Sequence, residues 1–342
     1  MVGTSHRAAF PLTSVQREYR TRLLAKLAGG EYHLEDVLAC PCGSTDAETL
    51  ASHDRFGLPV GAVLCGSCGL ARSTPRLSTA DLPDFYQHDY HGLHMGLPAP
   101  DPSTALVRRG QGAAIFALLR DQLPDGPLRV AEIGAATGQV LREFAEATGR
   151  EVTTAGCEYA SAYVEAGRSV GTDMRQGGPE TLRDLAPFDV VILSHVVEHL
   201  PDLSAGLADV RALGDEATLF YVEVPGLLTI ERKREYGFRF DRYLTVAHTF
   251  HFTLMTLTET MERSGFRLLS GDEEIRSIFR QGQLQEPKSD PANAREVTDG
   301  LRALDSWSNR LRQRKLLLGL YAEGARRRLS LLRNGRVREA VS

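Results

Sequence analysis

Val130-Ala-Glu-Ile-Gly-Ala-Ala-Thr-Gly138 decides the fold of this chain. The residues up to Ile133 form a short apolar run, as a buried strand does, and helical spacing takes over at 138–148 (GQVLREFAEAT). Between them lies a turn of small residues. A ligand lying across a strand's carboxyl end needs such a turn, because bulky side chains would keep it from the backbone. Gly134 and Gly138 permit that approach, with Ala135 between them, and the helix that follows offers free N–H groups.

Outward from this unit the pattern repeats. A strand is expected over 128–133, a second over 152–157, a weak third over 172–175, and two strongly apolar ones over 188–193 and 218–224. Helical spacing fills 104–123, 159–169 and 203–213. This alternation predicts an α/β fold with a doubly wound, mostly parallel sheet. Thr256, with Glu259 three residues on, reads as a capping box for a helix over 257–264 that Gly265 stops. Segments 266–270 and 275–279 then read as a closing antiparallel hairpin.

The ligand class comes from two acids. Glu158 ends the second strand, twenty-four residues after Gly134, where a carboxylate can accept both hydroxyls of a ribose. A dinucleotide fingerprint needs a middle glycine, and Ala136 occupies that slot. Glu132, at the end of the first strand, suits a cationic ligand better than a diphosphate. S-adenosylmethionine is such a ligand.

At this point 129–226 resembles the core of class I S-adenosylmethionine-dependent methyltransferases. Val130 to Gly138 resembles their first motif and Cys157-Glu158 their ribose-binding acid. Phe188-Asp-Val-Val-Ile-Leu-Ser-His-Val-Val-Glu-His199 resembles their fourth-strand motif, and Tyr221-Val-Glu-Val-Pro-Gly226 their fifth-strand end. The resemblance implies a seven-stranded sheet with a reversed final hairpin. It places Gly134, Ala135 and Gly138 along the methionine portion, Glu158 on the ribose, and Ser194, His195 and Val196 below the reactive methyl.

Four of the five cysteines cluster at Cys40, Cys42, Cys65 and Cys68, and Cys157 stands apart. Four thiolates suffice for one tetrahedral, structural Zn²⁺. The second half is a C-x-x-C-G knuckle; the first is only C-x-C, so His33 or His53 is the alternative to Cys40 as a ligand. The segment 38–75 has little periodicity and reads as a loop-built module. It is similar to the N-terminal zinc-binding domain of deoxysugar C-methyltransferases, Asp54-Arg-Phe-Gly-Leu-Pro59 and Cys68-Gly-Leu-Ala-Arg-Ser-Thr-Pro75 carrying the likeness. The chain thus divides into an N-terminal helix (1–37), a zinc-binding module (38–100), the methyltransferase domain (101–285) and a helical tail (286–342). Leu97-Pro-Ala-Pro-Asp-Pro102 marks the seam, and the tail is rich in Arg, with Arg326-Arg-Arg328, Arg333, Arg336 and Arg338.

Methyl transfer to a hydroxyl or an acidic C–H is helped by a base that works near neutrality, and histidine is the usual one. His199, His248 and His251 fall near the expected carboxyl edge of the sheet. In the sugar C-methyltransferases a Tyr-His-Glu-His run precedes a helix, its second His being linked with proton abstraction beside a keto group. His248 falls on that position, although Thr245, Val246 and Ala247 replace the other three. Tyr86, Tyr90 and His91 precede the α/β domain, and Tyr90 is expected to fold over the cofactor.

The expected acceptor is a small molecule, a sugar that is nucleotide-linked or part of a natural product, methylated at C or O. A net charge of -4, with no Lys/Arg stripe in the cysteine module, argues against a nucleic-acid-modifying zinc protein. A cofactor-binding scaffold without turnover is the other alternative. No apolar run reaches the ~20 residues of a spanning helix, so a cytoplasmic protein without a membrane partner is expected.

Overall fold

The computed structural model describes residues 7–97, 109–286, 290–304, 306 and 309–315. The Arg-rich tail beyond 315, the seam residues 98–102 and the start of the expected helix at 104 lie outside them.

Helix α1 (Ser14–Gly29) opens with a reciprocal cap. The Thr13 hydroxyl accepts from the Gln16 N–H, and the Gln16 side chain accepts from the Thr13 N–H, both at 3.1 Å. The cysteine segment is more ordered than its composition predicts. It holds β1 (Leu34–Glu35), β2 (Ala47–Ala51), β3 (Ala62–Cys65), β4 (Ala71–Ser73) and β5 (Arg76–Leu77). Helix α2 (Leu82–His88) then runs toward a π-helical turn at His91–Met95.

The α/β half begins with α3 (Gln111–Leu119), β6 (Leu128–Ile133) and α4 (Gln139–Thr148). It continues through β7 (Val152–Glu158), α5 (Ser161–Ser169), β8 (Asp173–Gln176), β9 (Val190–Ser194), α6 (Leu203–Arg211) and β10 (Leu219–Glu223). Short elements follow, α7 (Phe240–Tyr243) and β11 (Phe250–His251). The domain closes with α8 (Leu254–Arg263), β12 (Phe266–Ser270) and β13 (Arg276–Gln281), and α9 (Pro291–Ala303) comes after it.

Seven strands form one sheet in the order β12-β13-β10-β9-β6-β7-β8. Pairing is parallel from β10 through β8, while β13 runs antiparallel to β10 and to β12. The reversed hairpin of the sequence reading is therefore present. Alternate residues of β9 enter different cores: Val190 and Ile192 pack with α3, α4 and α5, whereas Val191 and Leu193 pack with α6 and α8. A strand buried on both faces has no polar side, which is why its sequence is a continuous apolar run.

One expectation needs correction. Thr256 is not the N-cap of α8; Thr253 is, its hydroxyl accepting from the Thr256 N–H at 3.2 Å while the Thr256 hydroxyl accepts from the Thr253 N–H at 3.0 Å. A threonine at the third helical position can do the work assigned to Glu259, which instead accepts from the Asn293 amide at 3.1 Å.

Nor is the cysteine module built of loops alone. β2, β3 and β4 make an antiparallel sheet, and its fourth strand is β11, supplied from beyond residue 245, with Phe250 opposite Arg72 and His251 opposite Ala71. Cys40, Cys65, Cys68 and Leu70 share a core with Phe250, Phe252, Leu257 and Met261. Module and α/β half are knitted together at this point.

Candidate active site

Strand order reverses between β6 and β9, so the carboxyl ends of these two strands bound the crevice where an open α/β sheet takes its ligand. The turn after β6 lies in the left-handed region at Gly134 (φ 65°), Ala136 (φ 46°) and Gly138 (φ 69°). A Cβ on Gly134 would stand 3.1 Å from the Val196 methyl, and one on Gly138 2.8 Å from Thr172. Both positions need glycine for space as well as for backbone angle.

Glu158 leaves the end of β7 and bends to this turn. Its Oε2 accepts from the Ala136 N–H at 3.2 Å, and its Oε1 accepts from Tyr159 N and Ala160 N at 2.8 and 3.1 Å. The Glu158 carboxylate thus lies against the turn that Gly134 opens. Glu132 is fully buried in β6, and Ala135 is anchored to β7 by its N–H on the Cys157 carbonyl at 3.0 Å.

The end of β9 closes the other side. Ser194 accepts from the Gln111 amide at 2.8 Å and donates to Glu223 at 3.2 Å, while Gln111 also donates to Glu223 at 2.7 Å. His195 follows with φ 58°, a strained value for a residue with a side chain. Its ring is half exposed, and Nδ1 lies 3.3 Å from the buried Glu198 carboxylate. Gln111 and Glu223 escaped the sequence reading; Glu223, the last residue of an apolar strand, was the available signal.

Glu198 and His199 sit in one 3₁₀ turn, Val197–His199. The Thr249 N–H donates to the Glu198 carbonyl at 2.7 Å, which draws the 245–251 segment against this turn. The rings of His199 and His248 meet edge to face, centroids 4.9 Å apart. His199 Nδ1 donates to the Ala247 carbonyl at 2.9 Å, which leaves Nε2 as the lone-pair nitrogen. His248 is buried and its Nδ1 has no hydrogen-bond partner. Burial, then the neighbouring His199, His251, His94 and Arg55, hold His248 well below its ordinary pKa; burial lowers His199 as well.

His251 lies apart in role. It belongs to β11, its Nε2 is 3.3 Å from the Ser73 hydroxyl, and burial lowers its pKa to about 3.

Tyr86, Tyr90 and His94 recur at helical spacing and roof this cluster. The Tyr86 hydroxyl is 3.0 Å from His199 Nδ1, and Tyr90 stacks on His94 with centroids 5.0 Å apart. Burial, then the charges of Glu198 and Glu158, raise the Tyr90 phenol's pKa, with Arg55 opposing. Tyr90 is therefore within electrostatic reach of both acids. Arg55 reaches His94 Nδ1 at 2.9 Å. It is held there by its neighbour: Asp54 is buried, accepts from Phe56 N, Leu58 N and Val246 N at 2.9 Å each, and is raised by burial to about 6. His94 and Arg55 were missed, although the Tyr86–Tyr90–His94 spacing carried the first.

The cysteines converge. Cys40 and Cys68 sulfurs are 3.6 Å apart, as are those of Cys42 and Cys65, and all four lie within 4.8 Å of one another. A tetrahedral Zn²⁺ with bonds of ~2.3 Å sets sulfurs about 3.8 Å apart, so the residues fit. The short first half works because Gly43 turns back at φ 90°, its N–H on the Cys40 carbonyl at 2.7 Å. The hydrogen bond with Cys40 and burial push the Cys68 thiol well up, a penalty a bound cation would reverse. The alternatives do not enter: His33 pairs with Asp81 and His53 with Ser52.

Comparison with known proteins agrees with the sheet. Residues 107–270 match the family model described as "Methyltransferase domain". This region is a methyltransferase domain. Solved structures similar to the chain include the YcgJ protein of Bacillus subtilis (15% identity, 46% of this chain and 70% of that one, TM-score 0.34). A SAM-dependent methyltransferase from Archaeoglobus fulgidus matches at 20% identity over 49% and 75%, TM-score 0.37. CalS10, an amino pentose methyltransferase of Micromonospora echinaspora, matches at 25% identity over 35% and 54%, TM-score 0.31. No curated protein matches the chain. Among the described residues, no helix is long and apolar enough to cross a membrane.

Proposed function

We propose that the methyltransferase domain transfers a methyl group from S-adenosylmethionine to a small acceptor, a sugar free or nucleotide-linked, at carbon or oxygen, with His248 as general base. The observation that carries this reading is the edge-to-face His199–His248 pair, anchored on the turn that directly follows Val196, the residue packed against Gly134. The cofactor supplies an electrophilic methyl on a sulfonium. Glu158 takes the ribose hydroxyls, and Gly134, Ala135 and Gly138 leave room for the methionine portion. Ser194, His195 and Val196 form the floor between cofactor and acceptor.

The acceptor side suits a polar ring. Tyr86, Tyr90 and His94 offer faces for stacking, and Arg55 keeps a buried Nε with no hydrogen-bond partner, a donor left for an acceptor oxygen. His248 removes the proton; its lowered pKa keeps the lone pair available at pH 7. The four cysteines hold a structural Zn²⁺ that fixes one wall of this side, with all four thiolates as ligands and no open position.

Titration calorimetry with S-adenosylmethionine tests the donor: saturable binding is expected, and none at high micromolar ligand sinks the proposal. For the zinc, Cys65→Ser should lower the zinc content of the purified protein by about one equivalent; an unchanged content would reject the assignment.

A further inference from the structure

Glu198, His199 and His248 share more than proximity. One carboxylate oxygen and one nitrogen of each ring lie within 4.8 Å of one another, a spacing in which a single ion can touch all three. Glu198 is 1% exposed, and its Oε2 has no hydrogen-bond partner. The buried Nδ1 of His248 has none either. Buried polar atoms are normally satisfied, and two residues of one close cluster each carrying an orphan call for a missing partner.

The surroundings of this trio match those of a ligand set. His199 donates its other ring nitrogen to a backbone carbonyl, the contact that fixes the tautomer of a metal-bound imidazole. The Tyr86 hydroxyl, 3.0 Å from the same nitrogen, braces it. Backbone bonds set both ends: the Thr249 N–H donates to the Glu198 carbonyl at 2.7 Å, and the Ser73 hydroxyl donates to the His248 carbonyl at 2.7 Å.

We propose that Glu198, His199 and His248 bind one divalent transition-metal ion at the acceptor end of the crevice, distinct from the four-cysteine cluster. Two imidazoles and one carboxylate select an ion of the zinc, cobalt or iron(II) class over magnesium or calcium, which prefer oxygen throughout. Three protein ligands leave a fourth position open, the mark of a site that takes a substrate or water rather than a structural one. An acceptor hydroxyl in that position would lose its proton more readily under the ion's charge. In the metal-loaded enzyme His248 is then a ligand, and the ion takes over the work assigned to it as base. This consequence rests on the methyltransferase reading; the binding site does not.

The test uses the full chain and the ions themselves. Wild-type protein is dialysed against micromolar Zn²⁺ or Co²⁺ and its metal content compared with Glu198→Gln and His248→Gln. Wild type is expected to retain about one equivalent more than either variant, and its unfolding temperature should rise with added ion while those of the variants do not. Cobalt at this site should add visible bands without the thiolate charge-transfer absorption of the cysteine site. Equal metal content in all three proteins overturns the proposal, as does an extra ion lost on Cys65→Ser and kept in Glu198→Gln. S-adenosylmethionine binding on the same samples separates the two readings. Cofactor binding without the extra ion removes only the metal site, and the extra ion without cofactor binding removes only the donor assignment.

Discussion

The two ends of the crevice are built in different ways. The end proposed for the cofactor is made of consecutive strand ends: the turn after β6, the acid after β7 and the segment after β9. Each piece follows from its own local sequence, and the sheet brings them together because parallel strands all present their carboxyl ends on one edge. The end proposed for the acceptor draws on segments 54–55, 86–94, 198–199 and 245–251, which come from both the cysteine module and the α/β half. Its cohesion depends on buried hydrogen bonds and ring contacts between remote stretches. One end is thus specified by local pattern and the other by assembly, and substitutions should separate them.

The largest separation is expected at His248. His248→Ala should slow turnover by about 10²-fold or more, as for a lost general base, with S-adenosylmethionine affinity within about twofold of wild type. Steady-state kinetics with calorimetry check both halves. An unchanged rate would remove His248 from the chemistry, and a matching loss of cofactor affinity would mean that the two ends are not independent.

At the other end, Glu158→Ala should weaken S-adenosylmethionine by about 10-fold, the scale of a lost charged hydrogen bond. Turnover at saturating cofactor should fall less than it does in His248→Ala. Equal affinities for the variant and wild type would show that the carboxylate serves only the backbone amides it already holds.

The smallest effect is one of pH. Burial lowers His91 to about 4 and His251 to about 3, and His94, His199 and His248 are lowered too. An unfolded imidazole titrates near 6.5, so below that pH the unfolded chain binds more protons, and stability falls as pH drops toward the folded values. Asp54, raised to about 6, and Glu273, also raised by burial, act in the opposite sense, losing stability as pH rises, but they are two groups against five. Hydrogen exchange at pH 5 against pH 7.5 should show protection lost first in 86–94 and 245–251, and later in 130–138. Uniform loss would erase the distinction between the ends.

Of the fold, the sequence alone determined the parallel sheet and its reversed hairpin, because strands buried on both faces must be apolar throughout and Gly134 and Gly138 mark the turn. It also determined the cysteine quartet, since four thiols in 29 positions have few other uses in so sparse a set. It did not determine that β11 completes the module's sheet, because two residues of strand carry no periodicity to read. The cap on α8 went to Thr253 for a related reason: Thr253 and Thr256 can both cap, and packing chooses. Only the tertiary structure brought Glu198, His199 and His248 together with Arg55 and His94. Contacts between segments nearly two hundred residues apart depend on how layers pack, and no local pattern encodes that.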